Sequence, residues 1–178
     1  MKTIKTLCIA FAAIFLFSNA DCKKKIKIEK DIDGASVTLT ALPQAAGTFD
    51  FTENVKFDMN ALMAQYDLSL DNVTSINPKS ATITIIDGTN PPVTFDIVDK
   101  VSVELAAASV PNKRVAFKDP VPHTGLSVIT PDIDESTDVL GLAIANDITY
   151  HFKGTMNAPL THQIQVKVAI KWHVVGTL

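Results

Sequence analysis

The sequence predicts a mainly β protein: a two-sheet antiparallel β-sandwich, jelly-roll or immunoglobulin-like, with one short helix near residues 59–66. Three observations predict it. First, residues 163–175 alternate almost without interruption. Ile164, Val166, Val168, Ile170, Trp172 and Val174 share one side; Gln163, Gln165, Lys167, Ala169, Lys171 and His173 share the other. A period of two with β-branched residues is a strand with one face on a core and one on water, the antiparallel habit. Second, shorter runs of the same period precede it, so that seven or more strands are expected. Third, Gly, Pro, Asn and Asp interrupt the chain between those runs, as sandwich turns require.

The elements follow in order. Met1 is followed by Lys2 and Lys5, and residues 7–17 are unbroken apolar sequence. A basic start and an eleven-residue apolar run form a secretory signal peptide, predicted here as residues 1–20. The run is short for a membrane-spanning helix, which needs roughly 20 apolar residues. Two cleavage readings stand side by side. Ser18-Asn19-Ala20 fits cleavage after Ala20, whereas Cys22 would become the first residue if the chain is lipidated. Cys8 leaves with the signal, so the exported chain keeps Cys22 alone and forms no internal disulfide. Residues 21–34, with Lys23, Lys24, Lys25, Lys27 and Lys30, read as a solvated N-terminal tether. Residues 35–178 read as the sandwich domain.

Within the domain, 36–42 alternates around Val37 and Leu39, and 80–86 around Ala81, Ile83 and Ile85, closed by Asp87-Gly88. Residues 93–97 follow Pro91-Pro92, and 100–106 alternate around Val101, Val103 and Leu105. Segments 114–118 and 126–130 are flanked by Pro111, Pro120, Pro122 and Pro131. Residues 139–144 form a further strand candidate despite Gly141. Asp58 is a good N-cap for the helix that follows, and Leu62, Met63 and Tyr66 give it one apolar stripe. A second turn is expected from Asp147.

The order of Gln65-Tyr66-Asp67-Leu68-Ser69-Leu70, Val73-Thr74-Ser75-Ile76 and the 81–85 strand, then Phe95-Asp96-Ile97-Val98, Val115-Ala116-Phe117 and Asp147-Ile148-Thr149-Tyr150, resembles small β-sandwich cell-envelope proteins of Bacteroidota, many of them lipoproteins. The resemblance covers residues 50–175. It implies the sandwich fold and an envelope location, and it assigns no site. Cys22-Lys23-Lys24-Lys25 also resembles the start of lipoproteins of that group, although Asp21 and Asn19 stand where such signals place a small residue and a leucine.

Removing residues 1–20 leaves 158 residues and, because Lys2 and Lys5 go with them, moves the net charge from −3 to −5. That length suits one domain, and an acidic domain gives no reason to expect nucleic acid. His123, His151, His162 and His173 share no zinc-binding spacing, and the chain has no nucleophile elbow or phosphate-binding glycine loop. No cofactor is implied. The acidic stretch 132–138 offers Asp132, Asp134 and Asp138 as candidate ligands for a hard cation, set against the alternative of a solvated loop. Trp172 belongs to the apolar side of its strand, which leaves Tyr66 and Tyr150 as surface aromatics and argues against a carbohydrate module built on aromatic platforms. The expectation is a non-catalytic exported module of the periplasm or outer membrane that binds or scaffolds a protein, polymer or lipid. Its function is expected on end loops such as 120–125 or 130–138. The alternatives are a hydrolase assembled from loop Asp, His and Ser residues, and an apolar-ligand carrier.

Overall fold

In a computed structural model that describes residues 27–56, 58–145 and 147–177, the alternating pattern of the sequence closes into two antiparallel sheets. The predicted signal peptide and Cys22 lie outside the described residues. The elements are β1 (Lys27–Asp33), β2 (Val37–Ala41), β3 (Gly47–Lys56), α1 (Met59–Ala64), β4 (Val73–Ile86), β5 (Val98–Ala107), β6 (Val110–Lys118), β7 (Val128–Ile129), β8 (Asp132–Ile133), α2 (Leu140–Ala145), β9 (Asp147–Met156) and β10 (Ile164–Thr177). One sheet runs β1-β10-β4-β7, with β2 also on β10; the other runs β3-β9-β5-β6-β8. β2 lies against β3 along one flank and β4 against β8 along the other. This is the β-sandwich that the periodicity predicts.

β10 organises the first sheet. Its inward residues Ile164, Val166, Val168, Ile170, Trp172 and Val174 are all buried. Its first half pairs with β2 and its second half with β1, both on the same edge, while β4 runs along the other. β4 begins at Val73 and continues through Pro78, upstream of the 80–86 run expected as a strand. A register shift between Lys171 and Trp172 leaves Lys79 as the extra residue of a bulge, and a proline is tolerated beside such a break in the ladder.

Four expectations about the elements are corrected. The tether of residues 21–34 ends earlier than predicted, because Lys27–Asp33 is a strand registered on β10 with Ile32 only 1% exposed. Its lysines masked it: Lys27, Lys30 and their acidic neighbours are exposed, and the packing falls to fully buried Ile32 and half-buried Ile28. Lys30 also donates to the Tyr66 carbonyl at 2.9 Å and lies over its ring. Residues 139–144, read as a strand, hold α2, and the turn expected from Asp147 is instead β9. Asp138 supplies the reason for the first exchange: its carboxylate accepts from Leu140 N–H at 3.0 Å and caps the helix. Within 93–97, expected as a strand, Phe95–Ile97 is a 3₁₀ turn that buries Phe95. The predicted helix is α1, where Asp58 accepts from Ala61 N–H at 2.9 Å and Met63 is fully buried.

Candidate functional site

The second sheet presents its outer face to solvent, and the side chains on that face are set by register. Opposite residues in neighbouring strands form rows. One row runs Asp50, Lys153, Ser102, Phe117, Asp132; the next runs Thr52, His151, Glu104, Arg114. These come from five strands separated by up to about a hundred residues of sequence, and only the ladder brings them together.

A bulge makes the face what it is. Val103 pairs with Ala116 and Glu104 with Arg114, so Val115 is the extra residue of β6. Val115 and Ala116 are then both buried, and Arg114 and Phe117 fall together on the outer side. The Arg114 guanidinium lies 4.4 Å from the centroid of the Phe117 ring. Beside it, Lys153 donates to Glu104 at 2.8 Å and stands 4.0 Å from Asp50. The hydrogen bond and charge of Glu104, followed by the charge of Asp50, hold the Lys153 ammonium above its ordinary pKa against partial desolvation. His151 Nδ1 lies 3.0 Å from Asp50. A shallow groove of about 370 Å³ crosses the face, bounded by Lys100, Glu104, Arg114, Phe117, Asp119 and Lys153. Arrayed side chains of both charge signs can bind a ligand that both donates and accepts hydrogen bonds.

The predicted cation ligands do not converge. Asp132 pairs with Lys118 at 3.2 Å. Asp134 accepts from Ser136 at 2.7 Å and lies 3.9 Å from Arg114; the Ser136 hydroxyl is the main cause of its lowered pKa. Asp138 accepts from both Ile76 N–H and Leu140 N–H at 3.0 Å. Among the described residues, no group of three or more His, Cys, Asp or Glu is placed to hold a metal ion.

Each histidine lies near an aspartate: His151 with Asp50, His173 with Asp31 at 2.7 Å, His162 with Asp87 at 3.1 Å and His123 with Asp99 at 3.7 Å. The hydrogen bond from His173 is the main reason that Asp31 titrates below its usual range. His162 comes nearest to a hydrolase arrangement, since Thr89 Oγ1 is 3.4 Å from its Nε2. In a relay one ring nitrogen faces the acid and the other the nucleophile, and His162 Nδ1 does lie 3.3 Å from a hydroxyl, that of its chain neighbour Thr161. Here the same Nε2 faces both Asp87 and Thr89, and the Thr89 hydroxyl lies 2.9 Å from that carboxylate and 3.0 Å from the Pro91 carbonyl. Asp87 is a loop lock. Its side chain is 3% exposed and accepts Val93 N–H at 2.7 Å and Thr89 N–H at 3.0 Å, and these bonds, Val93 first, hold its carboxyl far below the usual carboxylate range. His123 lies 3.1 Å from the Val98 carbonyl, and Gly125 N–H donates to Asp96 at 2.9 Å, so the 120–125 loop is tied to the sheet end.

Of the two aromatics expected at the surface, Tyr150 is buried and its phenol is pushed up to about 12 by burial, while Tyr66 is half-buried against β1. The aromatic on the groove is Phe117, read from sequence only as part of a strand. Strict alternation through Val115 would send Phe117 inward, and nothing in the sequence announces the bulge.

No protein-family model matches the chain, and no curated protein matches its sequence. Among solved structures, the chain is similar to one titled Desmodium yellow mottle tymovirus, at 14% identity over 86% of this chain and 88% of that chain, with a TM-score of 0.26.

Proposed function

We propose that the chain is an exported, non-catalytic module of the cell envelope, residing in the periplasm or at the outer membrane, that binds a protein, polymer or lipid partner through the outer face of β3-β9-β5-β6-β8. The observation that carries the binding face is the Arg114–Phe117 stack beside the charged groove. Its exposed planar charge is held in place before any ligand arrives. The signal-peptide pattern of residues 1–20 and the resemblance to envelope lipoproteins support the compartment, and lipidation of Cys22 would supply the attachment. The structural engagements of His123 and of the 132–138 acids support a non-catalytic role, because groups held in loop, strand and cap bonds are not poised for proton transfer. The carrier alternative has less support: the apolar cavity lined by Ile28, Leu68, Val73 and Val174 measures only about 10 Å³, room for one water at most, and the wider hollow of about 410 Å³ beside Leu70, Leu140 and Ile144 is lined as much by polar as by apolar surface.

The test is capture of partners from native envelope by wild type, by Arg114→Ala/Glu104→Ala, and by Lys171→Ala on the opposite sheet. The proposal expects one partner set captured by wild type and Lys171→Ala and lost by the double variant. Equal capture by all three proteins removes the face from the account.

A further inference from the structure

We infer that the groove over β9, β5 and β6 is a binding site for an acidic glycan, a chain of hydroxyl-bearing sugar rings that carry carboxylates. The inference rests on the binding face proposed above and names its ligand. Three features of the groove select this chemistry together.

The first is the cation set. Arg114 is 51% exposed along its side chain, and its nearest carboxylate oxygen, on Asp134, is 3.9 Å away, beyond hydrogen-bond reach. The Phe117 ring, 4.4 Å from the guanidinium carbon, restrains its position, and its fork of N–H donors matches a carboxylate. Lys100 lines the same groove and makes no ion pair or side-chain hydrogen bond among the described residues. Lys153, by contrast, is committed to Glu104. Two cations are therefore available to a ligand carboxylate.

The second is the company those cations keep. Glu104, Asp119, Ser102 and Thr155 line the same groove. Acidic acceptors beside an anion site would repel a ligand that carried only negative charge. They suit one whose carboxylate is flanked by hydroxyl donors, which is the arrangement on a uronic acid ring.

The third is the position of the groove on the sheet. β9 lies between β3 and β5, and β5 between β9 and β6, so both have ladder partners on each side. Over β9 and β5 the groove floor offers no free strand edge, and a peptide could add itself as a further strand only along β6 outside its two-residue ladder with β8. Recognition over β9 and β5 is by side chains alone, which favours a hydroxyl-dense ligand over an acidic peptide that binds by strand addition.

The experiment is native electrophoresis of the full chain through gels containing polygalacturonate, alginate or neutral dextran, with a parallel titration by poly-glutamate. The inference expects retardation by the two polyuronates and none by dextran. Arg114→Ala and Lys100→Ala should each weaken the retardation about tenfold, the loss expected for a charge-assisted hydrogen-bonding partner. Arg114→Lys should not restore it, because the bidentate fork is gone, and Lys171→Ala should behave as wild type. Circular dichroism melts confirm that each variant is folded. Mobility unaffected by either polyuronate overturns the inference, as does equal retardation of wild type and Arg114→Ala, or poly-glutamate binding that matches the polyuronates. If the glycans fail while envelope capture still depends on Arg114 and Glu104, the binding face stands and its glycan ligand falls.

Discussion

Two glycines are fixed by what stands beside them. A Cβ on Gly154 would run into the Lys100 carbonyl and come within 2.8 Å of Phe49 Cζ. One on Gly34 would meet the Trp172 indole nitrogen and lie 2.7 Å from the Ile170 carbonyl. The obstacle at each includes backbone, which cannot swing aside, so alanine at either position should destabilise by about 1–3 kcal/mol in urea unfolding. Gly88→Ala, with nothing within 4 Å, should stay within about 0.5 kcal/mol of wild type. Asp87 sets a pH dependence. Its folded pKa is depressed, so its contribution is fully present above the ordinary carboxylate range and disappears as pH falls below it. Asp87→Asn should therefore melt below wild type at pH 7, with the gap narrowing as the pH is lowered through 4 toward 2. A gap that stays constant with pH would contradict this. Neither the lock nor the Arg114–Phe117 pair was legible in sequence. The first depends on a carboxylate reaching back from a loop, and the second on a one-residue bulge.

Among the elements, β10 was read almost residue by residue because its inward positions are nearly all branched and its outward ones mostly polar. β1 and β9 were missed for opposite reasons. β1 has one fully buried and one half-buried isoleucine among charges, while β9 opens on an aspartate that looks like a helix cap and carries Thr149 and His151 between its buried Ile148, Tyr150 and Phe152. The strand nature of β1 has a direct consequence. Deleting residues through Asp33 should lower the melting temperature markedly, since Ile32 and the paired edge of β10 are lost, whereas a tether would be dispensable. Ile170→Ala and Val168→Ala should cost about 2–4 kcal/mol each, as truncations in a packed core do. Asp138→Ala should cost about 1–2 kcal/mol through the lost cap of α2 and the freed Ile76 N–H. Neither calcium nor EDTA should move the melting temperature of wild type or variant, as a cap predicts and a cation site does not.

At the scale of the whole molecule, register places Lys27 beside Thr177 and Lys56 beside Asp147, so the chain enters the sandwich at the end that carries α1 and α2. The opposite end carries Asp87, His162, Asp99 and His123. The sandwich and its antiparallel layers were legible from periodicity alone. The face proposed for binding was not, because its rows exist only once five strands are in register, whereas the residue pattern points to the end loops. Mass spectrometry of the mature protein should find its N-terminus at Asp21 or at a lipidated Cys22, and in the second case Cys22→Ser should release the protein from the membrane fraction. The most direct test of where this molecule binds is amide chemical-shift mapping of the isotopically labelled protein titrated with solubilised native envelope. The account predicts shifts concentrated on Asp50, Ser102, Glu104, Arg114, Phe117, His151 and Lys153. Shifts confined to the loops around His123 and His162, with that face unmoved, would contradict it.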